Sequence, residues 1–172
     1  KEAIELAYYG ASVIHPKTIK PLQNKKIPLH VKSFLNPEEL GTVISENFEK
    51  DGLIPCYIFK TNQVLVSFST KDFAFISEKH ISQIFDTLYG LGLEVNTMQN
   101  SAINFSINTS FEKNKLEALM KVLENQYAIK YNDGLDLLTI RHYNDEIIKV
   151  LTKGRKILLE QRSRNTVRLL MR

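Results

Sequence analysis

Residues able to do chemistry are sparse in this chain, and their spacing argues against most catalytic arrangements. The 4 histidines, His15, His30, His80 and His142, share no metal-ligand spacing, and the 1 cysteine, Cys56, has no partner for a disulfide or a zinc site. No GxxxxGK[ST] or GxGxxG phosphate loop occurs; Gly90-Leu91-Gly92 reads as the end of a helix leading into a strand. No nucleophile, base and orienting acid can be grouped from the sequence, so catalytic residues and metal ligands are both expected to be none. His15, just before Pro16, is expected to be a turn residue that hydrogen-bonds backbone, and His80 a partly exposed residue in a first helical turn. Tyr8 and Tyr9 read as packing residues, and Cys56, inside Ile54-Pro55-Cys56-Tyr57-Ile58-Phe59, as a buried inert thiol.

The charge of +4 gathers late, in Lys149, Lys153, Arg155, Lys156, Arg162, Arg164, Arg168 and Arg172. A solvated face, or a surface meeting an acidic partner domain, explains such a cluster. An RNA-binding domain with two helices on a four-stranded sheet would show a basic-Gly-aromatic third strand with two exposed aromatics. The corresponding stretch, Ala102-Ile103-Asn104-Phe105-Ser106-Ile107, has one, so no nucleic-acid partner is expected. No apolar run approaches the roughly 18 residues of a membrane span, and residues 1–20 lack the basic end and apolar stretch of a signal peptide. The expected setting is cytoplasmic, with no membrane partner. At 172 residues, 43% hydrophobic and 24% charged, the chain has room for one domain or two small ones.

The elements that must position these residues follow from periodicity. Residues 2–9 read as a helix ended by Gly10, Pro16 as a first helical residue, and Pro21 as keeping the next turns short. Residues 28–33 alternate as a strand, 36–41 carry turn chemistry, and 47–52 are polar and aperiodic, which places a boundary near 46–53. Beyond it, 57–59 and 64–68 read as strands joined by a turn at 60–63. Ser77 can cap a helix whose apolar residues Ile81, Ile84, Phe85 and Leu88 recur at helical spacing. Strands at 93–98 and 102–107 flank Gln99-Asn100; a second helix starts near Ser110 and carries Leu116, Leu119, Met120 and Leu123; 127–131 is again a strand. This is a βαββαβ order, the ferredoxin-like split unit with two helices on one face of an antiparallel sheet. After a hairpin-type turn at Asn132-Asp133-Gly134 the pattern restarts: strand 135–142, a short helix from Asp145 to about 152 ended by Gly154, and strands 157–159 and 167–170 around 163–165. One continuous helix over 145–161 is the competing reading.

The first residues carry a longer pattern: Glu2-Ala3-Ile4-Glu5-Leu6-Ala7-Tyr8-Tyr9-Gly10-Ala11, then Val13-Ile14-His15-Pro16, Ile27-Pro28-Leu29-His30-Val31, and Asn36-Pro37 with Gly41-Thr42. This string resembles the stretch that closes the kinase domain of aspartokinases, where EA-x-ELA-x-x-GA, HP, IP-x-x-V and NP-x-x-x-GT follow in that order. The resemblance implies an α+β fold. Tandem ferredoxin-like ACT modules (βαββαβ), the first inserted in a shortened second, would be preceded by the tail of an α/β amino-acid-kinase domain. Residues 1–46 would be that tail, 47–54 a linker, 55–61 a strand lent to the second ACT module, 62–132 the first module and 133–172 the second. The chain would be a C-terminal fragment with most catalytic machinery upstream.

The implied function is the regulatory and dimerisation region of an aspartate kinase, which phosphorylates the side-chain carboxylate of aspartate at the head of lysine, threonine and methionine biosynthesis. The fragment itself would not be catalytic, because the family's lysine-glycine-glycine phosphate segment and aspartate-binding arginine are absent from the sequence. MgATP would serve the parent kinase, with no cofactor in the fragment; by family position Asn36 is the one ATP candidate, although neighbouring Leu35 replaces a lysine found in some relatives. The family's effector sites map to the loop after the first strand of the module and to its second strand and turn. Thr70, Ser77, Asn96, Ser101, Ala102 and Ile103 are therefore the effector candidates. Ser101 matches the lysine-sensitive pattern, whereas Asn96 replaces an aspartate, Ala102 a glutamate and Lys79 a glycine, which weighs against a lysine effector. Expected partners are a second copy through the ACT modules, the upstream kinase domain and an amino-acid effector. A free-standing ACT-type amino-acid sensor and a feedback-insensitive dimerisation scaffold are the alternatives.

Overall fold

The computed structural model describes residues 2–11, 14–46, 54–72 and 74–172. Along the chain the elements are α1 (Glu2–Tyr9), α2 (Pro16–Asn24), β1 (Leu29–Val31), β2 (Thr42–Ile44), β3 (Cys56–Thr70), α3 (Glu78–Gly90), β4 (Val95–Asn100), β5 (Asn104–Ser110), α4 (Lys113–Leu123), β6 (Tyr127–Arg141), α5 (Asp145–Leu151), β7 (Ile157–Arg162) and β8 (Thr166–Met171). β1 and β2 form an antiparallel pair, and the other strands form a sheet in the order β4-β5-β3-β6-β8-β7. Its first four strands, β4-β5-β3-β6, give the 2-3-1-4 order of a βαββαβ unit. The last four, β3-β6-β8-β7, give the same order reversed, so β3 and β6 count twice. This is the expected α+β class with overlapping ferredoxin-like modules.

The double use of β3 and β6 corrects two expected turns. Both strands are 15 residues long and run straight through 60–63 and 132–134. A type I′ hairpin turn needs positive φ at both central residues. Each strand has one such residue here, Asn62 at 55° and Gly134 at 62°, and the chain continues. The Asn62 side chain helps hold its position, with Nδ2 donating to the Phe111 carbonyl at 3.3 Å while Phe111 N donates back to the Asn62 carbonyl at 2.8 Å. Smaller corrections are boundary shifts: the strands expected at 93–98 and 102–107 begin at Val95 and Asn104, and the second helix begins at Lys113 after Glu112, not near Ser110. α2 passes through Pro21 instead of stopping, and β2 was not expected. The competing long helix is absent, because α5 ends at Leu151 and Gly154 takes φ 76°.

Two compact units divide the chain, Lys1–Phe59 with Leu138–Leu151 and Gln161–Arg168, and Lys60–Leu137 with Thr152–Glu160 and Leu169–Arg172. The expected linker at 47–54 lies, apart from Ile54, outside the described residues. The second unit contains the first ferredoxin-like module, whose core joins Val64, Val66 and Phe68 of β3, Ile84 and Leu88 of α3, Phe105 and Ile107 of β5 and Leu119 of α4. Their alternation on strands and 3–4 spacing on helices put them all on one side of the sheet. The first unit contains α1, α2 and the β1–β2 pair. His15 caps α2 as expected, with Nδ1 accepting from Lys17 N at 3.2 Å.

Candidate functional site

Five of the six effector candidates, all but Asn96, lie at one end of the first module. Ser77 precedes α3, and its backbone N–H donates to His80 Nδ1 at 3.1 Å while its hydroxyl lies 3.2 Å from the same nitrogen. A histidine here takes the place of the Glu or Gln of a capping box. The Ile76 N–H donates to the Ala102 carbonyl at 2.9 Å, tying the segment before α3 to the turn between β4 and β5. In that turn Ser101 N donates to the Asn104 carbonyl at 2.8 Å, and Asn104 N to Ser101 Oγ at 3.1 Å. Ser101, Ala102 and Ile103 are all exposed at its tip. Their backbone groups and the Ser77 hydroxyl can meet the α-amino and α-carboxyl groups of an amino acid, the chemistry such a ligand demands.

Thr70 is buried at the end of β3, with Oγ1 donating to the Ala74 carbonyl at 2.6 Å. It lines a recess of about 280 Å³ with Lys71, Asp72, His80, Gln126 and Tyr127. Burial pushes the Tyr127 phenol above its ordinary range, and its hydroxyl donates to Gln83 Oε1 at 3.2 Å. The sequence reading did not assign His80 or Tyr127 to this place. The i to i+3 relation of Ser77 and His80 is the one signal that could have found the histidine.

Asn96 is not brought to that end. It sits beside the start of β3, with Oδ1 accepting from Lys60 Nζ at 2.8 Å and Nδ2 donating to Gln63 Oε1 at 2.9 Å. Gln63 Oε1 also accepts from the fully buried Asn108 Nδ2 at 3.2 Å. The β3–β5 register runs from Gln63 opposite Ser110 to Ser69 opposite Asn104. At about 3.3 Å per residue, Asn96 lies about 16 Å along the sheet from the Ser101 turn. A polar side chain on a half-buried sheet must satisfy its groups locally, and this one does so within its own subunit.

Asn36 lies exposed in the turn between β1 and β2, its N–H donating to Ser33 Oγ at 3.3 Å. The nearby Lys32 ammonium donates to the Pro37 carbonyl at 3.1 Å. These residues alone do not form the cationic cradle a triphosphate needs. Cys56 is half-buried, with Sγ donating to the Ile54 carbonyl at 3.5 Å, instead of fully buried. Tyr8, expected to pack, is 68% exposed. Among the described residues no group of three or more His, Cys, Asp or Glu could hold a metal, and no helix is long and apolar enough to cross a membrane.

No protein-family profile matches the sequence. A bifunctional aspartokinase/homoserine dehydrogenase of Haemophilus influenzae is 31% identical over 158 residues, which are 91% of this chain and 19% of that protein. The chain belongs to the aspartokinase family. It corresponds to a C-terminal aspartokinase region and spans about a fifth of the length of that relative. The fold agrees: Escherichia coli aspartokinase III, solved with lysine and aspartate, superposes with a TM-score of 0.77 at 21% identity over 98% of this chain and 41% of that one. A structure described as a C-terminal regulatory domain of aspartate kinase from Porphyromonas gingivalis gives 0.58 at 16% identity over 69% of this chain and 86% of that one. The aspartokinase match therefore extends to a separately solved regulatory domain.

Proposed function

We propose that this chain is the regulatory and dimerisation region of an aspartate kinase whose full protein converts ATP and L-aspartate to ADP and 4-phospho-L-aspartate. The observation that carries the reading is the doubled strand order β4-β5-β3-β6-β8-β7, since the aspartokinase regulatory domain from P. gingivalis superposes on most of this chain. Residues 1–46 are then the tail of the kinase domain, 62–132 the first ACT module and 133–172 the second, with residues 55–61 lent to it. The MgATP site belongs to the upstream kinase domain, and the isolated chain does not phosphorylate aspartate. Exposure of Phe34 at 97%, Leu35 at 87% and Leu40 at 91% supports an upstream domain that covers the β1–β2 loop. The setting is cytoplasmic.

An amino-acid effector binds at the Ser77 and Ser101–Ile103 end of the first module and acts by favouring one arrangement of paired modules over another. The lysine and aspartate bound to the E. coli relative support an amino acid as the ligand class. A thermal-unfolding series with lysine, threonine and methionine at millimolar concentration tests the assignment. At 100 times its Kd a ligand adds about 2.7 kcal/mol, a shift of several degrees. A shift with one amino acid and not the others names the effector, and no shift with any removes the sensing part of the reading. The feedback-insensitive scaffold is the second reading, favoured by the engagement of Asn96 with Lys60 and Gln63, which commits both ends of its amide.

A further inference from the structure

Within the first compact unit, an open recess of about 540 Å³ lies between α1 and the β7–β8 hairpin. Its size falls within the ordinary range for small-molecule sites. Tyr8 and Tyr9 form one wall, their rings edge to face at 5.3 Å. Arg162, Ser163, Thr166 and Arg168 form the other, and among the described residues no Asp or Glu lines it.

The hairpin rim is fixed by backbone. Ser163 N donates to the Thr166 carbonyl at 2.8 Å, His142 N to the Asn165 carbonyl at 2.7 Å, and the Tyr143 hydroxyl to the Ser163 carbonyl at 3.1 Å. Behind it, Arg141 Nη1 donates to Thr166 Oγ1 at 2.6 Å, and that guanidinium is balanced by a two-point pair with Glu2 at 3.0 and 2.6 Å. Arg162 pairs with Asp145 at 3.0 Å and lies 5.7 Å from the centroid of the Tyr143 ring. Arg168 lies 5.2 Å from the Tyr9 centroid, and burial pulls its pKa down. A guanidinium taken partly out of water gains when an anion reaches it, and its planar fork accepts a carboxylate or phosphate at two points. The Tyr9 ring is covered by Arg168, and the exposed Tyr8 ring beside it suits a flat apolar group.

We propose that this recess is a binding site for a small organic anion, a carboxylate or phosphate joined to a planar apolar group, held by Arg168 with Arg162 and packed against the exposed Tyr8 ring of α1. The site is separate from the effector position in the first module, and its proof or failure leaves that reading untouched.

The probes are benzoate, acetate and inorganic phosphate, added at constant ionic strength to the isotopically labelled chain while the arginine Nε–H resonances are followed. Benzoate is expected to move the Arg168 resonance saturably and to bind about tenfold tighter than acetate, with phosphate moving the same resonance. Arg168→Met should abolish the benzoate response, and Arg168→Lys, which keeps the charge without the fork, should weaken it several-fold. The proposal is overturned if no probe moves Arg168 saturably, if benzoate and acetate act alike, or if Arg168→Met leaves benzoate affinity unchanged. Should that variant fail to fold, the titration of the unaltered chain still decides the matter.

Discussion

The core of the first module and the N-terminal stretch of the other compact unit are held differently. In the unit that contains the first module, buried aliphatic and aromatic side chains from two helices and three strands meet in one cluster. In the N-terminal stretch of the other, Ile19 is the one buried hydrophobic among the described residues up to 46, while Phe34, Leu35 and Leu40 stand in solvent. The named contacts of α1 with the strands are polar: Glu2 with Arg141 and His142, and Tyr9 with Arg168. An apolar core is non-directional and self-sufficient, whereas a few ion pairs hold a position without supplying much net stability. The first arrangement suits an independent module, and the second a segment that completes its packing against something else.

The largest expected effect tests that contrast directly. Phe68→Ala, which empties the module core and removes an edge-to-face contact with Tyr127, should cost about 3–5 kcal/mol in urea unfolding. Phe34→Ala should stay within about 0.5 kcal/mol in the same measurement. Equal costs would break the distinction.

The polar attachment of α1 comes next. Glu2→Gln should lower the hydrogen-exchange protection of α1 by about 2 kcal/mol at neutral pH, because it removes a charge-assisted pair and leaves Arg141 without its counter-charge. The hydrogen bonds to Arg141 hold the Glu2 carboxyl below its ordinary pKa, and the same bonds raise that of Arg141. A depressed native carboxylate pKa contributes stability that is present above the unfolded value. It is lost as pH falls from about 4.3 through the lowered native value. The difference between Glu2 and the Gln variant should therefore vanish in acid; a constant difference from neutral pH down to pH 2 would assign the role to packing.

Asn96→Asp sharpens the picture of the module's own polar network. The carboxylate still accepts from Lys60 but can no longer donate to Gln63, and a loss of about 1 kcal/mol is expected in chemical unfolding. An increase in stability would show that the Lys60 pairing outweighs the Gln63 bond. The smallest effects concern backbone. Gly134→Ala meets no atom within 4 Å yet must hold φ +62°, so about 1 kcal/mol should be lost. Gly90→Ala, at the end of α3 with equal free space, should gain about 0.5 kcal/mol. The pair compared by thermal melts separates backbone strain from crowding.

Helices were legible wherever one face is apolar. Ile81, Ile84, Phe85 and Leu88 defined α3, and Gly154 located the end of α5, since 3.6-residue periodicity and positive-φ glycines are local properties. The strands β3 and β6 were not legible as single elements. Asn62 and Asn132-Asp133-Gly134 look like turns locally, and only pairing along both halves of each strand keeps the chain extended through them. Of the candidate site, Ser77 and the Ser101 turn were assigned by their family position, which the strand and helix order located along the chain. Asn96 was assigned by position along the chain, which says nothing of the Lys60 and Gln63 groups that meet it across the sheet.

By itself the sequence determined the α+β class, the βαββαβ order, the Ser77 cap of α3 and, through the run from Glu2 to Thr42, the aspartokinase resemblance. Those features depend on neighbours a few residues apart. Tertiary structure decided the shared use of β3 and β6, the meeting of the Ile76 and Ala102 segments, and the pairing of Glu2 with Arg141 across 139 positions of chain. Such contacts depend on which strands lie side by side, and that follows from the burial of a whole apolar face, not from any local pattern.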